Sequence, residues 1–142
     1  MSKKVTVVGA GGTGICTAAD LTLSGHHVTL CDVAGRSDDR IEMVRARGGV
    51  NLTGKGQNGF AVIESITTDF AQAIPGAEII SICALSTRHA EIAQAVVPHL
   101  EDGQTVLFSA GNMGSTIFRQ EMVKAGCTKD VVTGELDGNM FP

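Results

Sequence analysis

The stretch Lys4-Val5-Thr6-Val7-Val8-Gly9-Ala10-Gly11-Gly12-Thr13-Gly14 decides the fold. Its first half is a short β-branched run, which reads as a buried strand. Its second half fits the spacing G-x-G-x-x-G, with Gly9, Gly11 and Gly14 at the three glycine positions. Glycine fills 18 of the 142 positions, nearly twice the usual share of about 7%. In such a chain the spacing alone is weak, and context makes it specific. Thr13–Ser24 carries Ile15, Ala18, Ala19 and Leu23 at helical spacing and stops at Gly25. His27–Cys31 reads as a second strand, closed by Asp32, 18 residues beyond Gly14. Strand, glycine turn, helix, strand and acid in this order form a dinucleotide-binding arrangement. Gly9 permits the tight turn, Gly11 lets a pyrophosphate approach the backbone, and Gly14 lets the helix lie close to the strand. The helix N-terminus offers free N–H groups and a positive dipole end. Gly12 and Thr13 are expected to supply amides there. Asp32 is placed to accept hydrogen bonds from the adenosine ribose. A carboxylate at that point repels a 2′-phosphate and favours NAD over NADP. Arg36 and Arg40 follow closely and suit such a phosphate, so NADP stays open.

Outward from this unit the same rhythm continues. Ser37 is placed to cap a helix with Asp38 and Asp39 in its first turn, and Arg45, Arg47 and Gly48-Gly49 mark its end. Val50–Thr53 and Phe60–Ile66 are β-like and flank Gly54–Gly59, a hairpin-like excursion at about 50–66. Asp69–Ile74 reads as a short helix stopped by Pro75-Gly76. Glu78–Ala84 reads as a central strand, Thr87–Val97 as a helix, and Gln104–Phe108 as a strand. Ser115–Ala125 is a further helix and Val131–Glu135 a last strand. This alternation predicts an α/β fold: a Rossmann-type, doubly wound, mainly parallel sheet with helices on both faces. Residues 1–142 read as one dinucleotide-binding domain.

In such sheets ligands lie beyond the carboxyl ends of the strands. Two more segments should face that crevice. In Ala84–His89, Leu85 and Ser86 would pass near the cofactor's centre, although Ser86 also reads as a plain helix cap. In Ser109–Gly114, Asn112 would reach toward the nicotinamide side, although it also reads as a turn former. Arg36 reads as a solvated loop cation or as a phosphate ligand. His26, His27 and His99 read as structural, and His89, near the crevice, reads as facing solvent from a first helical turn. No nucleophilic triad and no metal-ligand spacing emerges, so no catalytic or metal-binding residue is assigned.

Composition narrows the partners. Hydrophobic residues make up 43% and charged residues 18%, an ordinary globular balance. Fifteen acids against eleven bases give a net charge of −4, and there is no Trp or Tyr. The cationic footprint and stacking platforms of a nucleic-acid binder are missing. Cys16, Cys31, Cys83 and Cys127 lack zinc or CxxC spacing and read as reduced thiols used as small hydrophobes. The apolar run after Lys4 breaks at Gly9, too early for a secretory leader, and no apolar stretch approaches roughly 18 residues. A cytoplasmic protein without a membrane partner is expected.

These residues resemble the N-terminal domain of opine dehydrogenases, the octopine and nopaline dehydrogenase class. The resemblance rests on Gly9–Gly14, Ala18-Ala19-Asp20-Leu21, Ser24–Leu30 with Asp32, Gly48–Gly54, Ile66–Asp69, Gly103–Leu107 and Gly111-Asn112. It spans nearly the whole chain. Glycerol-3-phosphate dehydrogenases and ketopantoate reductases have similar N-terminal halves and are the alternatives. The resemblance implies NAD(P)H-dependent reductive condensation of an amino acid with a 2-keto acid, in which an imine takes a hydride. It also implies that a catalytic His–Asp pair and most of the substrate pocket sit in a C-terminal helical domain, absent from these 142 residues. The dinucleotide is therefore the expected partner, with amino acid and keto acid joining only where that domain is present. The rival expectation is a stand-alone, non-catalytic dinucleotide-binding or regulatory module. A homodimer is expected through an apolar patch or sheet edge near Val131–Phe141.

Overall fold

The computed structural model describes residues 1–138. Met140 and Phe141, part of the expected dimer patch, lie outside the described residues. β1 (Lys4–Val8) leads into α1 (Gly12–Leu23), β2 (His27–Cys31) and α2 (Asp38–Arg47). β3 (Val50–Leu52), β4 (Gly59–Ala61), β5 (Ser65–Thr67) and α3 (Phe70–Ala73) follow. Then come β6 (Ile79–Ile82), α4 (His89–Val96), β7 (Thr105–Phe108), α5 (Gly114–Lys124) and β8 (Val132–Glu135). Short 3₁₀ turns, Ser86–Arg88 and Val97–His99, flank α4.

The main sheet runs β5-β2-β1-β6-β7-β8 with every neighbour parallel. Numbered among themselves in chain order, its strands run 3-2-1-4-5-6, the doubly wound order of dinucleotide-binding folds. The Rossmann-type fold read from the sequence is the one adopted. The order reverses between β1 and β6, and the carboxyl ends there diverge into a crevice.

The apolar runs explain why both faces are covered. Val7 and Val8 are adjacent, point to opposite faces, and are both fully buried. On one face Val5, Val7, Val28 and Leu30 pack against Ala18 and Ala19 of α1 and Ile41 and Val44 of α2. On the other, Val8, Ile80, Ile82 and Phe108 pack against Ile92 and Val96 of α4 and Phe118 and Met122 of α5. Each fully buried side chain of this kind contributes about 1.5–3 kcal/mol. Among the described residues no helix is long and apolar enough to cross a membrane.

The structure departs from the sequence reading in three places. β3 and β4 do form an antiparallel ribbon, and the Asn58 side chain closes its loop by accepting the Gly54 N–H at 2.8 Å. The run Phe60–Ile66 nevertheless splits. Ile63 turns into the core, and Ser65–Thr67 leaves the ribbon to pair in parallel with β2. Without β5 the outer edge of β2 would carry unpaired backbone groups. Second, His89 does not face solvent: it is fully buried, edge-on to Phe108 with ring centroids 5.0 Å apart. The 3₁₀ turn delays the start of α4 and rotates His89 onto the inner face. Burial pushes its pKa down, against the opposing pull of the Ala84 carbonyl and the Glu135 charge. Third, Ser37 sits at the N-cap of α2 but makes no side-chain cap. Asp38 instead accepts the Gly35 N–H at 2.8 Å.

The histidines near β2 make local hydrogen bonds. His26 Nδ1 accepts the Lys3 N–H at 3.2 Å, and His27 Nδ1 lies 2.9 Å from Glu64. All four cysteines are free. Burial pushes the Cys31 thiol up to about 12, with Asp32 and Asp69 adding to the effect, so it packs as a neutral hydrophobe.

Candidate functional site

A cleft of about 480 Å³ opens at the carboxyl ends of β1, β6 and β7. Eight of the residues singled out by the sequence line it: Gly9, Gly11, Gly12, Thr13, Arg36, Leu85, Ser86 and Asn112. The other two, Gly14 and Asp32, are buried beneath it. Three elements that are far apart in sequence thus converge because the parallel crossovers bring their strand ends to one rim.

The turn after β1 is fixed by contact. Gly9 has φ +111°, and a Cβ there would be driven into the Cys83 carbonyl at the end of β6. A Cβ on Gly14 would collide with the carbonyl of Gly9 itself. Both are backbone contacts that cannot yield cheaply. Gly11 and Gly12 differ. Nothing lies within 4 Å of a Cβ on Gly12, and above Gly11 only Arg40 Nη1 approaches, at 3.7 Å. Gly11 is the N-cap of α1 and no side chain caps the helix. The first-turn amides therefore face open space at the positive end of a 12-residue helix. A pyrophosphate fits this cradle by charge and by donor geometry.

The far wall is the loop after β7. Ala110, Asn112 and Met113 all have positive φ, at 58°, 43° and 63°. Such backbone costs on the order of 1–3 kcal/mol per residue and must be held from outside. Backbone bonds do most of the holding, from Ala110 N to Gly138 O at 3.2 Å and from Gly111 N to Leu136 O at 3.1 Å, and Glu135, at the end of β8, adds a side-chain brace. Its carboxylate accepts from Ser115 N at 2.8 Å, Ser115 Oγ at 2.5 Å and Met113 N at 3.3 Å. Those bonds, from Ser115 above all, hold the Glu135 pKa below its ordinary value. Leu85 stands 75% exposed at the mouth of the cleft, an apolar surface on which a planar ring can rest.

Asp32 has a different setting from the one expected. It is 1% exposed. Its Oδ2 accepts the Ala10 N–H at 2.9 Å, which ties the glycine turn to β2. Its Oδ1 accepts the Val33 N–H at 2.8 Å and Arg88 Nη2 at 2.9 Å. Burial works to raise the Asp32 pKa, and the hydrogen bonds from Arg88 and the amides outweigh it and hold the carboxyl low. Arg88 in turn binds Glu91, which also binds Arg36. Sequence reasoning passed over Arg88. The signal was available: it is the basic residue of Ala84–His89, a segment already placed at the crevice. Ser37, Arg40 and Ser109 also line the cleft. Nothing local in the sequence pointed to Glu135 as a brace of the far loop.

With this geometry in place, known proteins give a consistent likeness. The profile of the family described as "Ketopantoate reductase PanE/ApbA" matches residues 5–132. The chain is 28% identical over 140 residues to an opine dehydrogenase of Arthrobacter sp. (strain 1C), covering 99% of this chain and 38% of that protein. An octopine dehydrogenase structure with NADH and L-arginine superposes with a TM-score of 0.73 at 17% identity, over 85% of this chain and 32% of that one. A ketopantoate reductase from Ralstonia eutropha JMP134 superposes with a TM-score of 0.71 at 21% identity, over 96% of this chain and 44% of that one. At these identities the superpositions establish the fold. The chain spans about two fifths of the length of the curated relative. The likeness to opine dehydrogenases read from the sequence is supported, and so is the kinship with ketopantoate reductases.

Proposed function

The chain belongs to the ketopantoate reductase PanE/ApbA family, and from that premise we propose that it is the nicotinamide-dinucleotide-holding domain of an oxidoreductase. The observation that carries this reading is the open cradle above Gly11 and Gly12 at the uncapped start of α1, set at the switch point of a 3-2-1-4-5-6 sheet. Gly12 and Thr13 would donate backbone N–H groups to the pyrophosphate, with Arg40 beside Gly11. Gly9 and Gly14 shape the turn. Asp32, Arg36 and Arg88 surround the ribose end. Leu85 and Ser86 would flank the middle of the dinucleotide, and Asn112 its nicotinamide end.

The bound dinucleotide supplies a hydride. The chain's own part is to fix its position and to shield one side of it with the β6 and β7 loops. The reaction we propose for the protein is reductive condensation of an amino acid with a 2-keto acid, as its resemblance to opine dehydrogenases suggests. Reduction of a keto acid without condensation is the second reading, favoured by the family profile. The cleft lining offers amide, hydroxyl, thiol and guanidinium groups. Proton transfer to substrate is accordingly assigned to groups outside it. Four free cysteines suit a reducing compartment, and we place the protein in the cytoplasm.

Thermal unfolding with and without NADH or NADPH tests the binding claim. A ligand at 100 times its Kd that binds only the folded state adds about 2.7 kcal/mol, so the midpoint should rise by several degrees. A flat response to both sinks the reading. Oxidation of NADH or NADPH with amino acid and keto acid pairs, against keto acid alone, separates the two reactions. Oxidation by these 142 residues would exclude a non-catalytic binding module.

A further inference from the structure

The charged groups around Asp32 bear on which ribose the cleft accepts, granted the dinucleotide reading above. Asp32 stands at the end of β2, where ribose hydroxyls would donate to a free carboxylate. Its oxygens are already engaged. Oδ1 accepts from Val33 N and Arg88 Nη2, which uses both lone pairs, and Oδ2 accepts from Ala10 N inside an enclosed site. Arg88 is itself held. Its Nε donates to one Glu91 oxygen at 3.1 Å. The other Glu91 oxygen accepts from Arg36 Nε and Nη2 at 3.0 and 2.8 Å. Asp32, Arg88, Glu91 and Arg36 form a chain of alternating charge from the core to the cleft rim.

The surface this leaves is one of donors. Nη1 of Arg88 and Nη1 of Arg36 make no hydrogen bond among the described residues. Arg36, Arg40 and Arg88 line the cleft, and no carboxylate does. Free guanidinium N–H groups complement a phosphate monoester, which accepts and never donates when ionised. They do not complement a ribose diol that needs an acceptor.

We propose that Arg88 sets the dinucleotide preference: by covering Asp32 it makes the ribose end of the cleft a site for the 2′-phosphate of NADP(H). NAD(H) binds well only when Arg88 releases Asp32. The sequence preference for NAD assumed a bare carboxylate, and the ion pair removes that assumption.

The test is titration of NADH and NADPH against the full chain, read by reduced-nicotinamide fluorescence, for wild type, Arg88→Gln and the double variant Asp32→Asn/Arg88→Gln. The wild type should bind NADPH at least tenfold more tightly than NADH. Arg88→Gln should lower that ratio at least tenfold, with NADH binding becoming tighter as Asp32 opens. The double variant also lacks the buried carboxylate charge, so it carries the test if Arg88→Gln fails to fold. Its ratio should fall equally, without the gain for NADH. An unchanged ratio in a folded variant, or a wild type that prefers NADH, overturns the role of Arg88 and leaves dinucleotide binding intact. A wild type that binds neither overturns both.

Discussion

Two glycine-rich turns in this molecule look alike in sequence and do opposite things. Gly9–Gly14 follows β1 and opens α1, and Ser109–Gly114 follows β7 and opens α5. In the first, the helix start is uncapped and the space above Gly11 and Gly12 is open. In the second, the Glu135 carboxylate reaches across from β8 and takes the amides of Met113 and Ser115. A Cβ on Gly111 would run into that same side chain. One helix end leaves its positive charge facing the open cleft, and the other has already neutralised it with the protein's own carboxylate. A strand, a glycine turn and a helix are therefore not enough for an anion site. The helix end must also be left vacant by its neighbours.

The comparison is sharpest where backbone meets backbone. Gly14→Ala should destabilise by about 3 kcal/mol or more, because the Gly9 carbonyl cannot move aside. Gly12→Ala should stay within about 0.5 kcal/mol of wild type, since open space surrounds it. It should still weaken dinucleotide binding. Urea unfolding and calorimetry check both. Equal stability losses at Gly12 and Gly14 would mean that the turn is not built on the close approach.

The next effect comes from the carboxylate beneath the first turn. Asp32→Ala breaks a buried ion pair and should cost about 3 kcal/mol. The acid limb of the stability profile gives a second measurement. The folded-state pKa of Asp32 lies below its ordinary value. Its contribution is thus complete above about pH 4 and lost as pH falls through the lower folded value. An acid limb that is unchanged by Asp32→Asn would contradict this.

A smaller loss is expected at the second turn. Glu135→Ala removes a cap that is exposed to solvent, so about 0.5 kcal/mol is expected. The Glu135 pKa is also held low, so this contribution fades on acidification in the same sense. Dinucleotide affinity should change less than twofold. A large loss of binding in a folded Glu135→Ala protein would show that the two turns are coupled. The smallest effect concerns the sheet edge beyond the second turn. Val132 on β8 is 64% exposed, and a homodimer through this edge should become monomeric on Val132→Lys by light scattering, with binding unchanged.

Much of the first turn was legible. Gly9, Gly11 and Gly14 are read from spacing because a turn, a close approach and a helix packing each need a missing Cβ within one short segment. The doubly wound parallel sheet was legible in the same way, since alternation of apolar strands and helices admits few crossovers. The split of Phe60–Ile66 was not, because β-propensity does not say which edge a strand will join. The burial of His89 was not, because one 3₁₀ turn rotates the whole helix start.

The sequence by itself determined the fold, the place of the cleft and the glycine turn, since all three follow from local periodicity and spacing. The tertiary structure decided which charges meet. Arg88 reaches Asp32 across 56 residues, and Glu135 reaches back 20 to Ser115. Those pairings arise because parallel crossovers gather the carboxyl ends of distant strands on one rim. Where a carboxylate is buried there, it must find a donor. Its partner is therefore chosen by proximity after folding, and no spacing along the chain records the choice.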